Sequence, residues 1–311
     1  MIQERLKALR AEMEKRGITV YVVPTADFHE SEYVGDHFKA RKFITGFTGS
    51  AGTAVITLDE AGLWTDGRYF VQAENQLKDS TVTLYRMGEE GVPTVDEFVK
   101  DRLKEGGCLG FDGRVVNGTW GGKLEKIAAE KNVSMHVTED LIDLIWEDRP
   151  ALSKQPLFIL EEKYSGKSTA DKIADLRKAM KENGADVHIL TSLYDIAWLL
   201  NIRGNDIDYV PVVLSYLVLN ETECIWFLQE EVVDDKIRAY LEENHITTKP
   251  YDAIYDYVPE IPADAVVLMN RGTVNYRIVN SLDKAIKVVD KPNPTELMKA
   301  VKNKTEVDNT R

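Results

Sequence analysis

The feature that most limits what this chain can fold into is an internal repeat. Residues 5–25 read RLKALRAEMEKRGITVYVVPT and residues 172–192 read KIADLRKAMKENGADVHILTS. At a constant offset of 167, Leu6 matches Ile173, Leu9 matches Leu176, Arg10 matches Arg177, Met13 matches Met180 and Gly17 matches Gly184. In each copy the apolar residues fall at i, i+3 and i+7, which is one stripe of a helix. The glycine then ends that helix, because it takes a left-handed conformation without a Cβ penalty. A strand follows in both copies, Val20 to Val23 and Val187 to Leu190. Helix–glycine–strand units are common, but five matched positions at one offset, each opening a half of nearly equal length, point to duplication. The length of 311 residues, roughly two ordinary domains, agrees.

The remainder of each half alternates strands and helices, as in mixed α/β sheets with helices packed on them. In the first half Thr53–Leu58 and Leu63–Thr65 flank the turn Asp59–Gly62, a hairpin pattern. Thr94 to Glu97 is a capping box that opens a helix to about Leu103. Leu109–Phe111 and Met135–Val137 read as strands around a helix that opens near Thr119. In the second half Val212–Leu219 and Glu223–Leu228 flank the turn Asn220–Thr222, followed by a helix over Val232–Glu243 and a strand over Val266–Met269. The hairpins argue against purely parallel sheets. Two prolines in the polar stretch Trp146–Pro156 mark a linker. Pro292 and Pro294 break the last strand and set a helix start, and that helix is predicted to run on to Arg311 with Leu297, Val301 and Val307 facing nothing. Such a helix is expected to lead into a further domain.

Charge and apolar patterning exclude several functions. Fifty-two acidic against 39 basic side chains leave a net charge of −13, and no basic patch offsets it. A surface of that sign repels phosphate backbones, so nucleic acid is not an expected partner. The longest apolar stretch, Pro211 to Leu219, is interrupted by Ser215 and falls far short of the roughly 20 residues a membrane span needs. No apolar signal segment opens the chain, and Cys108 and Cys224, each inside an apolar run, read as buried free thiols of a reducing cytoplasm.

Spacing alone assembles no complete catalytic constellation. GxGxxG, GxxxxGK[ST], GxSxG and HExxH are all missing. His136 and His188 fall within predicted strands, where histidine is more often a satisfied structural residue than a ligand. Asp27, His29, Glu30, Glu32, Asp36 and His37 crowd one loop. Divalent cations want convergent carboxylates, with imidazole tolerated by manganese or zinc. Ligands on a single loop rarely converge unaided, so a solvated polar loop bordering a substrate entrance is the preferred reading. Gly46 to Gly52 could cradle an anion, but the β-branched strand that follows favours a tight turn. Trp64 to Phe70 ends a strand in an Asp-Gly turn and opens a helix, which places Arg68 where loops often reach ligands. Its guanidinium could grip a carboxylate or carbonyl, or simply pair with Asp66, and both readings stand at this point.

The stretches SEYVGDHFKARKFITGFTGSAGTAVIT, LWTDGRYFVQAENQL and LIDLIWEDRP resemble the aminopeptidase P (Xaa-Pro aminopeptidase) family of metallopeptidases. LYDIAWLLNIRGNDIDYVPVVLSY in the second half and LMKAVKNKTEVDNTR in the tail extend the resemblance over essentially the whole chain. In the long form of that family two creatinase-like domains, each a mixed sheet with flanking helices in a ribonuclease H-like motif, precede a pita-bread catalytic domain. The resemblance therefore implies creatinase-like domains at 1–150 and 157–291, with 292–311 starting the helix into the catalytic domain. In the family two aspartates, a histidine and two glutamates of the catalytic domain hold two divalent metal ions, usually manganese. A hydroxide bridging them attacks the carbonyl before proline. None of those five ligands has a counterpart here, so no catalytic or metal residue is carried over, and the chain alone is expected to bind no metal and to be inactive. The arginine of the family's TDGRYF motif contacts the peptide, and it matches Arg68. The resemblance further implies a proline-containing peptide substrate, a cytoplasmic homodimer, and front domains that gate access to the site. A stand-alone, non-catalytic peptide-binding module of creatinase-like fold is the alternative.

Overall fold

The computed structural model describes residues 1–311. They form two compact units, one of Met1–Phe28 with Asp36–Ala151 and the other of His29–Gly35 with Leu152–Arg311.

In the first unit α1 (Ile2–Lys15) buries the stripe Leu6, Leu9 and Met13 completely, and Gly17 turns the chain at φ +66°. The chain then enters β1 (Val20–Pro24), every residue of which is buried. After α2 (Ala40–Thr45) come β2 (Thr53–Thr57), β3 (Ala61–Thr65), α3 (Phe70–Leu77), β4 (Thr83–Arg86), α4 (Val95–Arg102), β5 (Cys108–Phe111), α5 (Gly118–Glu130) and β6 (Ser134–His136). The six strands form one sheet in the order β4-β3-β2-β1-β5-β6. β1 lies at its centre, antiparallel to β2 and parallel to β5. Thr94 caps α4 through the expected reciprocal box, its side chain accepting from the Glu97 N–H. Asn117 caps α5 by accepting from the Trp120 N–H.

The second unit opens with β7 (Phe158–Ile159) and α6 (Glu162–Ser165) and then repeats the plan. Helix α7 (Thr169–Glu182) buries Ile173, Leu176 and Met180, and Gly184 turns at φ +63° into β8 (Val187–Leu190). Then come α8 (Leu193–Leu200), β9 (Ile202–Arg203), β10 (Ser215–Leu219), β11 (Cys224–Leu228), α9 (Asp235–Glu243), β12 (Thr247–Pro250), α10 (Ile254–Tyr257), β13 (Val266–Met269), α11 (Tyr276–Ser281) and β14 (Lys287–Asp290). The sheet order β12-β11-β10-β8-β13-β14 has the topology of the first unit, with β8 antiparallel to β10 and parallel to β13. β7 and β9 form a separate two-stranded ladder.

The duplication extends to single side chains. Arg10 Nε donates to the Thr57 carbonyl at 2.9 Å, and Arg177 Nε donates to the Asn220 carbonyl at 3.0 Å. Each arginine thus ties its helix to the hairpin turn beside the central strand. Both cysteines are buried free thiols, and burial pushes Cys224 up to about 12.

Two expectations are corrected. The last helix does not run on: α12 (Pro294–Ala300) stops at Val301, whose ψ of 99° is extended, and α13 (Lys304–Thr310) starts afresh. Asn303 accepts from the Glu306 N–H while the Glu306 carboxylate accepts from the Asn303 N–H, a capping box that restarts the helix. Leu297, Val301 and Val307 are exposed, as their positions suggested. The acidic-histidine loop is not simply solvated. Asp27 and His29 are buried, His29 lying between the Thr191 carbonyl at Nδ1 (3.0 Å) and the Tyr251 hydroxyl at Nε2 (2.6 Å), while Glu30, Glu32 and Asp36 remain exposed.

Candidate functional site

Arg68 owes its position to the elements around it. β3 ends at Thr65, the Tyr69 N–H donates to the Asp66 carbonyl at 3.0 Å, and α3 starts at Phe70. The four-residue turn pushes Arg68 out of the sheet, and its side chain is 70% exposed. Asp66 organises it threefold, accepting from the Arg68 backbone N–H at 3.1 Å and from Nε and Nη2 at 2.8 Å each. The guanidinium holds the Asp66 carboxyl down to about 2, and Asp66 in turn raises Arg68, so both stay charged at any physiological pH. A solvent-exposed pair of this kind contributes little to stability, so Arg68 can exchange Asp66 for another oxygen at little cost. Nη1 takes no part in the pairing.

The glycine-rich segment supports this corner rather than binding an anion. Its carbonyls face inward onto Arg41, a buried guanidinium that donates to Thr25 Oγ1 at 2.9 Å, to the Phe47 carbonyl at 2.6 Å and to the Gly49 carbonyl. Burial pulls Arg41 down to about 10. A Cβ on Gly49 would lie 2.2 Å from the Phe47 ring and 2.8 Å from Tyr69, so only glycine lets the loop close there. Gly46 ends α2 at φ +78°. The loop then reaches the Arg68 turn through Ser50, whose Oγ is 2.6 Å from the Tyr69 hydroxyl. Gln72 and Gln76 of α3 both donate to Thr48 Oγ1, at 2.9 and 2.8 Å. Arg41, Ser50 and Tyr69 are the residues that sequence reasoning did not single out. The one signal was a lone arginine inside the buried helix ARKFIT.

The other residues weighed as ligands do not converge. Asp27, Asp36 and His37 group with the first unit and His29, Glu30 and Glu32 with the second. His37 Nδ1 donates to the Pro150 carbonyl (2.7 Å), and burial beside Arg149 lowers its pKa. His136 ends β6 beside Glu139, 3.2 Å away. His188 is fully buried on β8 with Nδ1 at 3.0 Å from the Leu268 carbonyl. No three His, Cys, Asp or Glu side chains form a group that could hold a metal ion, so the residues present do not fit a metal centre. No helix is long and apolar enough to cross a membrane.

Known proteins resemble this chain along almost its whole length. Two models described as the creatinase/prolidase N-terminal domain match residues 5–145 and 148–306. A probable Xaa-Pro aminopeptidase P of Sordaria macrospora is 39% identical over 99% of this chain and 52% of its own length. Aminopeptidase P2 of Arabidopsis thaliana is 35% identical over 92% of this chain and 41% of its own. The crystal structure of the X-prolyl aminopeptidase of Caenorhabditis elegans, described as a cytosolic enzyme with a di-nuclear active site, superposes with a TM-score of 0.93 at 31% identity. That match covers 99% of this chain and 52% of the other. The chain thus spans about half the length of the relatives it matches. With two mixed sheets of one topology and two matching domain models, the chain belongs to the creatinase/prolidase N-terminal domain family, of the kind found in Xaa-Pro aminopeptidases P.

Proposed function

We propose that this chain provides the two non-catalytic front domains of a Xaa-Pro aminopeptidase, which removes the N-terminal residue from peptides with proline in second position. The observation that carries the reading is Arg68: an exposed, permanently charged guanidinium fixed at the end of β3 by Asp66, on a loop braced by Arg41 and the Ser50–Tyr69 contact. That arrangement suits a donor for a peptide carbonyl or terminal carboxylate. Relatives named Xaa-Pro aminopeptidase P, matched along almost all of this chain, support the substrate class.

In this reading the two divalent metal ions, manganese being the expected pair, bind outside these residues, since none of the side chains here groups to hold them. The contribution of this chain is recognition. Proline has no N–H and a fixed φ, so recognition of such a peptide leans on its carbonyls and termini, which an arginine fork can bind. The front domains also narrow the entrance to extended peptides and join a second copy in a homodimer. The cytoplasm is the expected compartment, by analogy with the C. elegans enzyme described as cytosolic.

The test joins these two domains to a metal-bearing catalytic portion and follows hydrolysis of Arg-Pro-Pro. Arg68→Ala is expected to lower kcat/KM about tenfold or more, the worth of one hydrogen bond to a charged group, with the melting temperature unchanged. An unchanged kcat/KM would remove Arg68 from the site. Unchanged hydrolysis after deletion of both domains would overturn the whole reading.

A further inference from the structure

Lys172, on α7, is 1% exposed, and Arg203, on β9, is half-buried. Buried charges in folded proteins are paired with opposite charge, yet the hydrogen bonds of these two cations go to neutral oxygens. Lys172 Nζ donates to the Trp198 carbonyl at 2.8 Å and to Asn201 Oδ1 at 2.7 Å, with the Trp198 ring centroid 4.4 Å away. Arg203 uses Nη1 alone, on the carbonyls of Ala197 and Ile202. Its Nε and Nη2, the edge that grips an oxyanion with two donors, are spent on neither. Both residues line a cleft of about 220 Å³ whose walls also include Tyr164, Trp198, Lys302 and Glu306. Lys302 adds a third cation at the rim, where its amine donates only to the Lys299 carbonyl. Glu306, the one carboxylate on that wall, is committed to capping α13 through the Asn303 N–H at 2.9 Å. Burial, with Arg203 and Lys167 adding repulsion against the attraction of Glu306, pulls Lys172 down to about 8.

We propose that the cleft between α7, β9 and α13 is a binding site for a small oxyanion, a carboxylate or phosphate group held by Lys172, Arg203 and Lys302 with Trp198 as its apolar wall. This site lies in the second unit and is independent of Arg68. The volume admits a phosphate or a short carboxylate-bearing molecule and excludes a folded partner. The indole beside the cations favours a ligand that has an apolar part next to its anionic head.

The experiment is calorimetric titration of the 311-residue protein with inorganic phosphate and, separately, with acetate, at fixed ionic strength in chloride. The indole N–H resonance of Trp198 is followed in parallel. Saturable one-to-one binding that shifts this resonance is expected for at least one of the two anions, and comparison of the two identifies the head group. Arg203→Gln and Lys302→Glu should each weaken that binding at least tenfold. Lys302 is exposed, so Lys302→Glu tests the site even where the Arg203 variant fails to fold. Absence of saturable binding by either anion, or binding as tight in Lys302→Glu as in the parent, would overturn the proposal.

Discussion

Arg68 and Asp66 are joined by a two-pronged ion pair, Nε to Oδ1 and Nη2 to Oδ2 at 2.8 Å each, while the arginine side chain stays 70% open to solvent. The pair fixes the direction of the guanidinium without burying it. Asp66→Asn is therefore expected to leave stability within about 0.5 kcal/mol, the range of ordinary surface changes. The same change should weaken peptide turnover in a catalytically complete protein, because Arg68 loses its alignment. Urea titration and kcat/KM, measured on the same preparation, check the two halves of this expectation.

A different pair carries stability. Asp195 is 1% exposed on α8, and its carboxylate meets Lys299 Nζ of α12 at 2.5 Å and Asn293 Nδ2 at 3.4 Å. Removing the lysine strands a buried carboxylate, which typically costs about 3–5 kcal/mol. Lys299→Met should lower the stability of the second unit by about 3 kcal/mol in chemical denaturation. A change under about 1 kcal/mol would mean that water replaces the amine and that α12 is not held by this contact.

The duplication makes its own prediction. Arg10 and Arg177 each tie a helix to a hairpin-turn carbonyl, Thr57 in one unit and Asn220 in the other. Arg177→Ala should cost about 1 kcal/mol, the net worth of one such hydrogen bond, and Arg10→Ala more, because its Nη2 also donates to the Glu60 carbonyl at 3.0 Å. Because the two arginines lie in separate units, the double variant should show the sum. Equilibrium unfolding of the two single variants and the double variant measures this directly.

Lys172 predicts a pH dependence. Its pKa in the folded chain is about 8 against 10.5 for the ordinary side chain, because burial disfavours the charged amine, with Arg203 and Lys167 adding repulsion and Glu306 opposing it. Between those values the unfolded chain binds the proton and the folded chain does not. The penalty is therefore complete below about pH 8, and stability rises as pH climbs toward 10.5. Lys172→Met should flatten that rise in denaturation curves taken from pH 7 to pH 10. A slope that persists in the variant would assign it to other groups.

Much of this was legible in the sequence because it rests on local periodicity. The stripe Leu6, Leu9, Met13 and its copy Ile173, Leu176, Met180 could bury only one face, and the glycines at Gly17 and Gly184 marked where each helix stops. The capping box at Thr94 and the hairpins beside β1 and β8 followed from equally short patterns. What depends on distant partners was not legible. His29 reads as a loop polar residue until Tyr251, 222 positions away, closes over it. Nothing in the local pattern singles out Lys172, whose burial depends on Asn201 accepting from it 29 positions away. The restart at Asn303 was in principle visible, since Asn303 and Glu306 have capping-box spacing, but the strong helix formers on either side concealed it. Of the two readings of Arg68 open from the sequence, the pairing with Asp66 is present, and the grip on a peptide oxygen remains the proposal.

We propose that these 311 residues recognise peptide and do not cleave it by themselves. The direct measurement is release of the N-terminal residue from Arg-Pro-Pro by the purified chain with excess manganese, with and without a chelator. No release above the uncatalysed background is predicted. Chelator-sensitive turnover by this chain alone would contradict the account, because it would require a metal centre for which no grouping of its side chains exists.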